Sequence, residues 1–220
     1  NDKIKIKDIT SLKKSDWENL ILLAHTNKSK AFDMYSKHYM STNGQIYWSD
    51  LHQLSVYPKN YHEKIDKITG SNIPGSEIIT EIYIPKKNLI SFINEVKDYF
   101  IKNNVDLIYG TIRVIKKDKE SFLKWAKKDY FCIVFNIHTP HNKRGINKSS
   151  RVLRKLIDFS IKYKGNFSLM YHKFATKRQI NLCYPEFKEF LLLKKKYDPD
   201  ELFQSSWYLH YRKMFEELYD

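Results

Sequence analysis

The hydrophobic spacing between Glu77 and His172 is the feature that most limits what this chain can fold into. Apolar residues alternate with other residues in four short stretches, and they recur at intervals of three and four residues in two longer ones. Alternation predicts a β-strand, whereas the longer spacing predicts an amphipathic helix. The predicted strands are residues 77–84, 106–116, 130–138 and 167–172, and the predicted helices carry Leu89 to Phe100 and Val152 to Tyr163. The order β-α-β-β-α-β predicts an α+β fold of the ferredoxin-like kind, an antiparallel sheet with its helices on one face.

Helix and strand breakers support these boundaries. Pro85 ends the first strand, Asn103 and Asn104 end the first helix, and Gly165 stops the second helix. The charged connection 117–128 is predicted to contain a helical turn around Phe122 and Trp125.

The residues before this core predict a helical and β-rich lead-in, 1–76, packed on it. Ser15 to Glu18 has the spacing of a capping box and starts a helix, and a second helix is predicted over Ser29–Met40. A turn at Asn43-Gly44 leads into a β-rich run, Gln45 to Val56.

The residues after the core predict a helical tail. We divide the chain into the lead-in 1–76, the ferredoxin-like core 77–175 and the tail 176–220. In the tail, Pro185 separates two helical patterns, and the second ends at Tyr197-Asp198-Pro199. Asp198 is in position to cap the turn that follows it, so the tail predicts helices joined by tight turns.

The composition bounds the partners and the compartment. The 220 residues include 39 Lys and Arg against 25 Asp and Glu, a net charge of +14. This charge indicates either a Lys-rich solvated surface or attraction to an anionic ligand, nucleic acid or membrane surface. The two cysteines, Cys132 and Cys183, have neither disulfide-framework nor zinc-site spacing, which favours a reducing cytoplasm and no metal.

Further absences in the sequence shape our expectations. No apolar run approaches the roughly 18 residues of a membrane span, so no transmembrane segment is expected. The N-terminus lacks the apolar core of a signal peptide. The chain opens at Asn1 without a methionine, and we expect it to be a piece of a longer protein.

The sheet face opposite the helices is the candidate site. Alternation places a carboxylate, a guanidinium, an amide, an imidazole and phenols on adjacent strands, and such groups can orient a polar ligand and transfer a proton. These residues are Glu81, Tyr83, Tyr109, Arg113, Cys132, Asn136 and His138, with Tyr171 or His172 near the fourth strand. The alternatives are a solvated polar face, a ligand-free Glu81–Arg113 ion pair, a loop histidine at His138 and a partly buried His172.

The stretch Gly165–Tyr211 carries a resemblance to a known family. It reads GNFSLMYHKFATKRQINLCYPEFKEFLLLKKKYDPDELFQSSWYLHY. It resembles the C-terminal end of FAD-linked oxidoreductases of the vanillyl-alcohol-oxidase type. In these a Tyr-His or Lys-containing segment faces the flavin, and a tail of the form YDP-x-x-x-F-x-S-x-W/M closes the chain. The matching residues are Tyr171, His172, Lys173, Tyr197, Asp198, Pro199, Phe203, Ser205 and Trp207.

The resemblance extends to most of the chain. Four further segments are similar to successive cap-domain segments of bacterial members: Gln45–Tyr57, Gly75–Pro85, Asp106–Arg113 and Phe131–His138. It implies that the chain is the C-terminal cap, or substrate, part of an FAD-dependent oxidoreductase that oxidises a small molecule by hydride transfer to flavin.

The resemblance also implies roles for the candidate residues. The cap sheet would roof the flavin ring, with substrate between the two. The substrate-binding residues would be Glu81, Arg113, Asn136, His138 and Cys132. Tyr171 or His172 would be the catalytic proton acceptor, and Tyr171 and Lys173 would contact the cofactor. In part of the family a lysine lies beside the flavin at the position of Tyr171 or His172. This chain therefore departs from the family pattern there.

A larger departure concerns the cofactor. With only six glycines the chain contains no Gly-rich loop for the FAD pyrophosphate. We therefore expect an upstream FAD-binding domain as partner, no activity from this chain alone, and no nucleic-acid partner.

Two other functions fit the same pattern. RNA-recognition domains share the β-α-β-β-α-β order and carry aromatic and Arg residues on the open sheet face. Ile108 to Val114 faintly resembles their central motif but lacks its paired aromatics. The chain could also be a structural or assembly domain without a ligand.

Overall fold

We describe the protein from a computed structural model, which covers residues 10–46 and 61–219. The β-rich run predicted over Gln45–Val56 lies outside the described residues from position 47 onward. The chain divides into two compact units, 1–76 and 77–220, and each is described by itself.

The first unit contains three described helices. They are α1 Lys14–Thr26, α2 Lys28–Ser41 and α3 Tyr61–Thr69. The cap predicted at Ser15 was wrong, because α1 begins at Lys14 and the Asp16 carboxylate accepts the Lys13 amide at 2.8 Å. A cavity of about 320 Å³ lies between α1 and α3.

The second unit contains the predicted fold. Its elements are β1 Gly75–Pro85, α4 Leu89–Lys102, β2 Leu107–Ile115, β3 Tyr130–Pro140, α5 Lys143–Lys162, β4 Asn166–Phe167, α6 Lys177–Cys183, α7 Phe187–Tyr197 and α8 Ser206–Met214. Short 3-10 helices cover Lys86–Asn88 and Glu216–Leu218. The sheet order is β2-β3-β1-β4, and the strands are antiparallel. This confirms the α+β class, the ferredoxin-like order, the N-terminal helices and the helical tail.

Helices α4 and α5 cover one face of the sheet because their apolar stripes pack on inward residues of β1 and β3. Ile82 and Ile84 of β1 are fully buried there, as are Phe92 of α4 and Leu156 of α5. The tail helices α6 to α8 extend the same core. These helices and the residues that end them contribute Ile180, Tyr184, Phe187, Leu191, Tyr211 and Phe215, each at most 1% exposed.

Strand β2 differs from its prediction. Alternation placed Ile108, Ile112 and Val114 on the covered face, but a bulge between Leu107 and Tyr109 makes Leu107 the residue that pairs with Ile137 and packs on the core. Ile112 and Val114 are 51% and 54% exposed, because β2 is the last strand of the sheet order.

Strand β4 is much shorter than the predicted 167–172. After Phe167, only Ser168 continues the pairing, with its amide donating to the Glu81 carbonyl at 2.9 Å. The Leu169 carbonyl instead accepts the Trp207 indole N–H at 2.8 Å. A tail side chain therefore replaces the sheet as the hydrogen-bond partner, and the chain bends away.

The connection between β2 and β3 is a loop, and the helical turn predicted around Phe122 and Trp125 is not formed. The Asp118 carboxylate accepts the amides of Glu120 and Ser121 at 2.9 and 3.0 Å, and the Asp118 amide donates to the Ala126 carbonyl at 2.8 Å. These bonds fold the loop back, and Ala126 is fully buried in a second cluster on the face opposite the helices.

Candidate functional site

The candidate site lies on the sheet face that α4 and α5 do not cover. Glu81 alternates with the core residue Ile82 on β1 and therefore points to the opposite face. Arg113 of β2 pairs directly with Cys132 of β3, which places their side chains next to each other. Three adjacent strands thus bring a carboxylate, a thiol and a guanidinium into one row.

Glu81 is the centre of a hydrogen-bonded group. Its Oε1 accepts Arg113 Nη2 at 2.7 Å and the Tyr171 hydroxyl at 3.2 Å, and its Oε2 accepts the Tyr83 hydroxyl at 2.9 Å. We call Glu81, Tyr83, Arg113, Cys132 and Tyr171 the Glu81 cluster. The Glu81 side chain is 13% exposed and that of Arg113 59%, so a protected carboxylate is paired with an accessible cation.

The ionisation of the cluster follows from its burial. Burial and the Glu81 carboxylate raise the pKa of Tyr83 and of Tyr171, so both phenols stay protonated and donate to the carboxylate. Burial, with Glu81 nearby, raises the pKa of the Cys132 thiol to about 11. Cys132 is therefore a protonated lining residue at neutral pH and is not activated as a nucleophile.

His172 lies apart from this cluster. Its Nε2 is 3.2 Å from the hydroxyl of Thr80, which shares the helix-facing side of β1 with Ile82. Its Nδ1 accepts the Phe174 amide at 3.4 Å, which fixes the proton on Nε2. Burial lowers the pKa of His172 to about 4. The imidazole is thus neutral and engaged at both nitrogens.

The remaining predicted residues occupy other places. Asn136, 1% exposed, pairs with Tyr109 further along β3 on the same face as Cys132. His138 Nδ1 lies 3.7 Å from a Glu77 carboxylate oxygen at that end of the sheet. Lys173 donates to the Ser206 carbonyl at 3.3 Å and so lies against the start of α8. The structure therefore brings together Glu81, Arg113, Cys132 and Tyr171, and it separates them from His172 and Lys173.

The loop between β2 and β3 covers the other end of this face. The ring of Trp125 meets that of Tyr83 edge-on, with centroids 5.4 Å apart, and the ring of Tyr130 is stacked with that of Tyr83 at 6.4 Å. The side-chain Nδ2 of Asn166 donates to the Trp125 carbonyl at 3.0 Å. Trp125 is 38% exposed, so it forms an aromatic wall beside the cluster.

One member of this site, Trp125, was missed by sequence reasoning. Tyr83 was among the candidates on this face, but nothing in the pattern marked it as the partner of Glu81. Trp125 lies in a loop without periodicity, and its position depends on the hydrogen bonds of Asp118 and Asn166. Only the Asp118-x-Glu120-Ser121 turn could have indicated that this connection folds back.

The arrangement can bind an oxygen-containing group and move a proton. The accessible guanidinium of Arg113 offers donors to an oxyanion or hydroxyl oxygen. The Tyr171 side chain is 46% exposed, and its hydroxyl links solvent to the Glu81 carboxylate. A phenol between a ligand and a carboxylate can take up one proton while it releases another.

Two observations bear on the flavin that the family resemblance implies. Met170 and Tyr171 are 85% and 46% exposed, and the Tyr171 hydroxyl donates to Glu81. The six glycines are all described residues, and they are spread between Gly44 and Gly165 without forming a glycine-rich loop. The described residues therefore include no glycine-rich loop of the kind that holds a pyrophosphate.

Comparison with known proteins identifies no relative. No family model matches the chain, and no curated protein matches its sequence. Within residues 10–46 and 61–219, no helix is both long enough and apolar enough to cross a bilayer.

Proposed function

We propose that this chain is the substrate-binding cap of an FAD-dependent oxidoreductase of the vanillyl-alcohol-oxidase type. The observation that carries the proposal is the Glu81 cluster on the uncovered sheet face, where the family resemblance places the substrate. The resemblance of the tail, from Tyr171 to Trp207, supports the same assignment. An FAD-binding domain is the partner that this proposal requires.

The cluster supports specific roles. Arg113 binds an oxygen of the substrate through the donors that it does not use on Glu81. Tyr171 accepts the proton of a substrate hydroxyl while its own phenolic proton passes to Glu81, so the proton ends on the carboxylate. When bound, FAD supplies the acceptor for the hydride that leaves the substrate carbon. Tyr171 and Lys173 are the residues proposed to contact it.

The geometry favours Tyr171 over His172 as the proton acceptor. Both histidine nitrogens are occupied, and His172 faces the helix side of β1. Tyr171 is exposed and is bonded to Glu81. Of the two candidates, only Tyr171 combines access with a second proton acceptor.

The RNA-binding alternative is less well supported. RNA-recognition domains stack bases on aromatic rings exposed on the central strands. Here the central strands carry Tyr83 and Tyr130 on that face, and each ring is only 2% exposed beneath the loop that contains Ala126 and Trp125. The rings that would stack on bases are therefore covered.

The visible absorption spectrum tests the cofactor. We would compare the complete gene product with the isolated 220-residue chain, each mixed with FAD and then freed of unbound FAD. Flavin bands retained by the complete product alone are the expected result. Flavin bands in neither protein would contradict the oxidoreductase proposal, and a titration with single-stranded RNA at moderate salt would follow.

Flavin reduction tests the roles of the residues. In the flavin-loaded protein, with a panel of alcohols and without oxygen, we expect Tyr171→Phe to slow reduction by about 10²-fold or more because the proton route is lost. Lys116→Gln is the matched control, since Lys116 is 82% exposed and pairs with Asp129 outside the cluster. An unchanged rate in Tyr171→Phe would remove Tyr171 from the mechanism.

A further inference from the structure

Among residues 10–46 and 61–219, the outer edge of β2 has no partner strand. β2 is the last strand in the order β2-β3-β1-β4, and no described residue pairs with its outer side between Gly110 and Val114. An edge strand directs every second N–H and C=O away from its sheet, and proteins usually protect such edges with proline, charge or a short strand. β2 has nine residues, no proline and a single charged residue, Arg113.

The side chains on this edge are apolar and accessible. Ile112 and Val114 lie on the helix side of the sheet and are 51% and 54% exposed. Arg113 points to the other side and is paired with Glu81, so its charge does not repel a strand that approaches the edge. The edge therefore combines open backbone groups with partly exposed β-branched residues.

We propose that β2 pairs antiparallel with β2 of a second copy of this chain, across a twofold axis at Ile112. A twofold axis makes each contact occur twice, so the segment must be complementary to itself. The result is a continuous eight-stranded sheet with α4 and α5 of both copies on the same side. This inference does not depend on the flavin proposal.

The sequence of β2 favours this register. With the axis at Ile112, the two Ile112 side chains face each other, and Gly110 of each copy faces Val114 of the other. Gly110 has no side chain, so it leaves room for Val114. On the opposite side, Thr111 faces Arg113. An axis at Arg113 would place two guanidinium groups opposite each other, which is unfavourable.

The mass of the chain in solution tests the pairing. We expect size-exclusion chromatography with light scattering to show a rise from 26.5 kDa towards twice that mass as the concentration increases. Ile112→Lys should keep the chain monomeric at every concentration, because two lysines would meet at the axis. Ile90→Lys is the matched control, since Ile90 is 71% exposed on α4, and it should dimerise like the unchanged chain.

Two results of this experiment would overturn the proposal. One is an unchanged chain that stays monomeric over the whole concentration range. The other is an Ile112→Lys variant that keeps its folded circular-dichroism spectrum and still dimerises like the control.

Disulfide formation tests the register. Facing residues of antiparallel strands have Cα atoms about 4.5–5.5 Å apart, which a disulfide can span. The native cysteines, Cys132 and Cys183, are 1% and 3% exposed, so a disulfide between two copies would come from the introduced cysteine. Ile112→Cys should give a cross-linked dimer on mild oxidation, and Thr111→Cys should not. The reverse result would overturn the axis at Ile112.

Discussion

At the scale of single residues, the Glu81 carboxylate joins Arg113, Tyr83 and Tyr171 on the open face by hydrogen bonds. Replacing Glu81 with Gln removes the charge that faces Arg113 and weakens the acceptor for two phenols. Because the side chain is 13% exposed, we expect a loss of about 2 kcal/mol in the free energy of unfolding, measured with urea. The control is Asp129→Asn, whose pair with Lys116 is solvent-exposed and should matter little. Equal midpoints for the two variants would show that the cluster does not stabilise the fold.

The buried His172 predicts how the stability of the fold depends on pH below neutrality. Its pKa is about 4 in the folded protein and about 6.5 when exposed, so the unfolded chain binds more protons between these values. Stability must therefore fall as the pH drops from about 6.5 to about 4, by at most about 3 kcal/mol. We expect His172→Gln to flatten this slope in urea midpoints measured across that window.

The control for His172 is His210. Burial and then Lys173 lower the pKa of His210, so it acts in the same direction. His210 is only partly buried, whereas His172 is 7% exposed, so His210→Gln should leave most of the slope. A slope that persists fully in His172→Gln would mean that another group controls the acid response.

At the scale of elements, the end of α5 depends on two neighbouring residues with different needs. Lys164 adopts the left-handed conformation, with φ at 59°. A Cβ at Gly165 would lie 2.1 Å from the Tyr83 carbonyl of β1. We expect Gly165→Ala to lose roughly 3 kcal/mol or more in unfolding free energy. Lys164→Gly should gain up to about 1 kcal/mol, because glycine relieves the strained φ.

Thermal unfolding of the two variants measures both effects. The midpoint should fall for Gly165→Ala and should rise or stay unchanged for Lys164→Gly. If Lys164→Gly lowered the midpoint more than Gly165→Ala, the close contact with the Tyr83 carbonyl would not be what requires glycine at position 165.

The turn after α7 depends on Asp198. Its two carboxylate oxygens accept the amides of Leu202 and Phe203 at 2.9 and 3.0 Å, and Lys194 pairs with it. We expect Asp198→Ala to speed hydrogen exchange at these two amides, and Asp198→Asn, which keeps one acceptor, to have a smaller effect. Exchange in β3 should not change in either variant. Uniform acceleration across the second unit would indicate global destabilisation instead.

How far the sequence predicts these elements depends on whether local spacing decides the structure. Alternation correctly separated Glu81 from Ile82 and Cys132 from Ile133, because β1 and β3 are long, regular strands. It failed at Ile108, where a bulge shifts the register by one residue. It also failed at His172, because the strand ends at Phe167 and side chains beyond that point no longer alternate between the two faces. Beyond the end of the strand, the Leu169 carbonyl accepts the indole N–H of Trp207, a residue 38 positions along the chain that local spacing does not reveal.

At the scale of the whole molecule, every described member of the main core belongs to the second unit. Its buried and partly buried members all lie between Ile78 and Leu218. We expect a shortened chain of residues 74–220, which keeps β1 whole, to unfold cooperatively in urea. The fluorescence of Trp125 and Trp207 would follow the transition. A broad, non-cooperative transition would mean that residues 1–73 are required for the core to form.

The position of β1 inside the sheet has a consequence for protein synthesis. β1 lies between β3 and β4, and both neighbours follow it along the chain; Ile82 pairs with Phe167. The ribosome therefore releases β1 before β3 and β4 have been synthesised. Until then the apolar residues of β1 have no neighbouring strand to pack with. During that interval Ile82 and Ile84 lack the strands and helices that bury them in the folded protein. The sheet can close only after Phe167 has left the ribosomal tunnel.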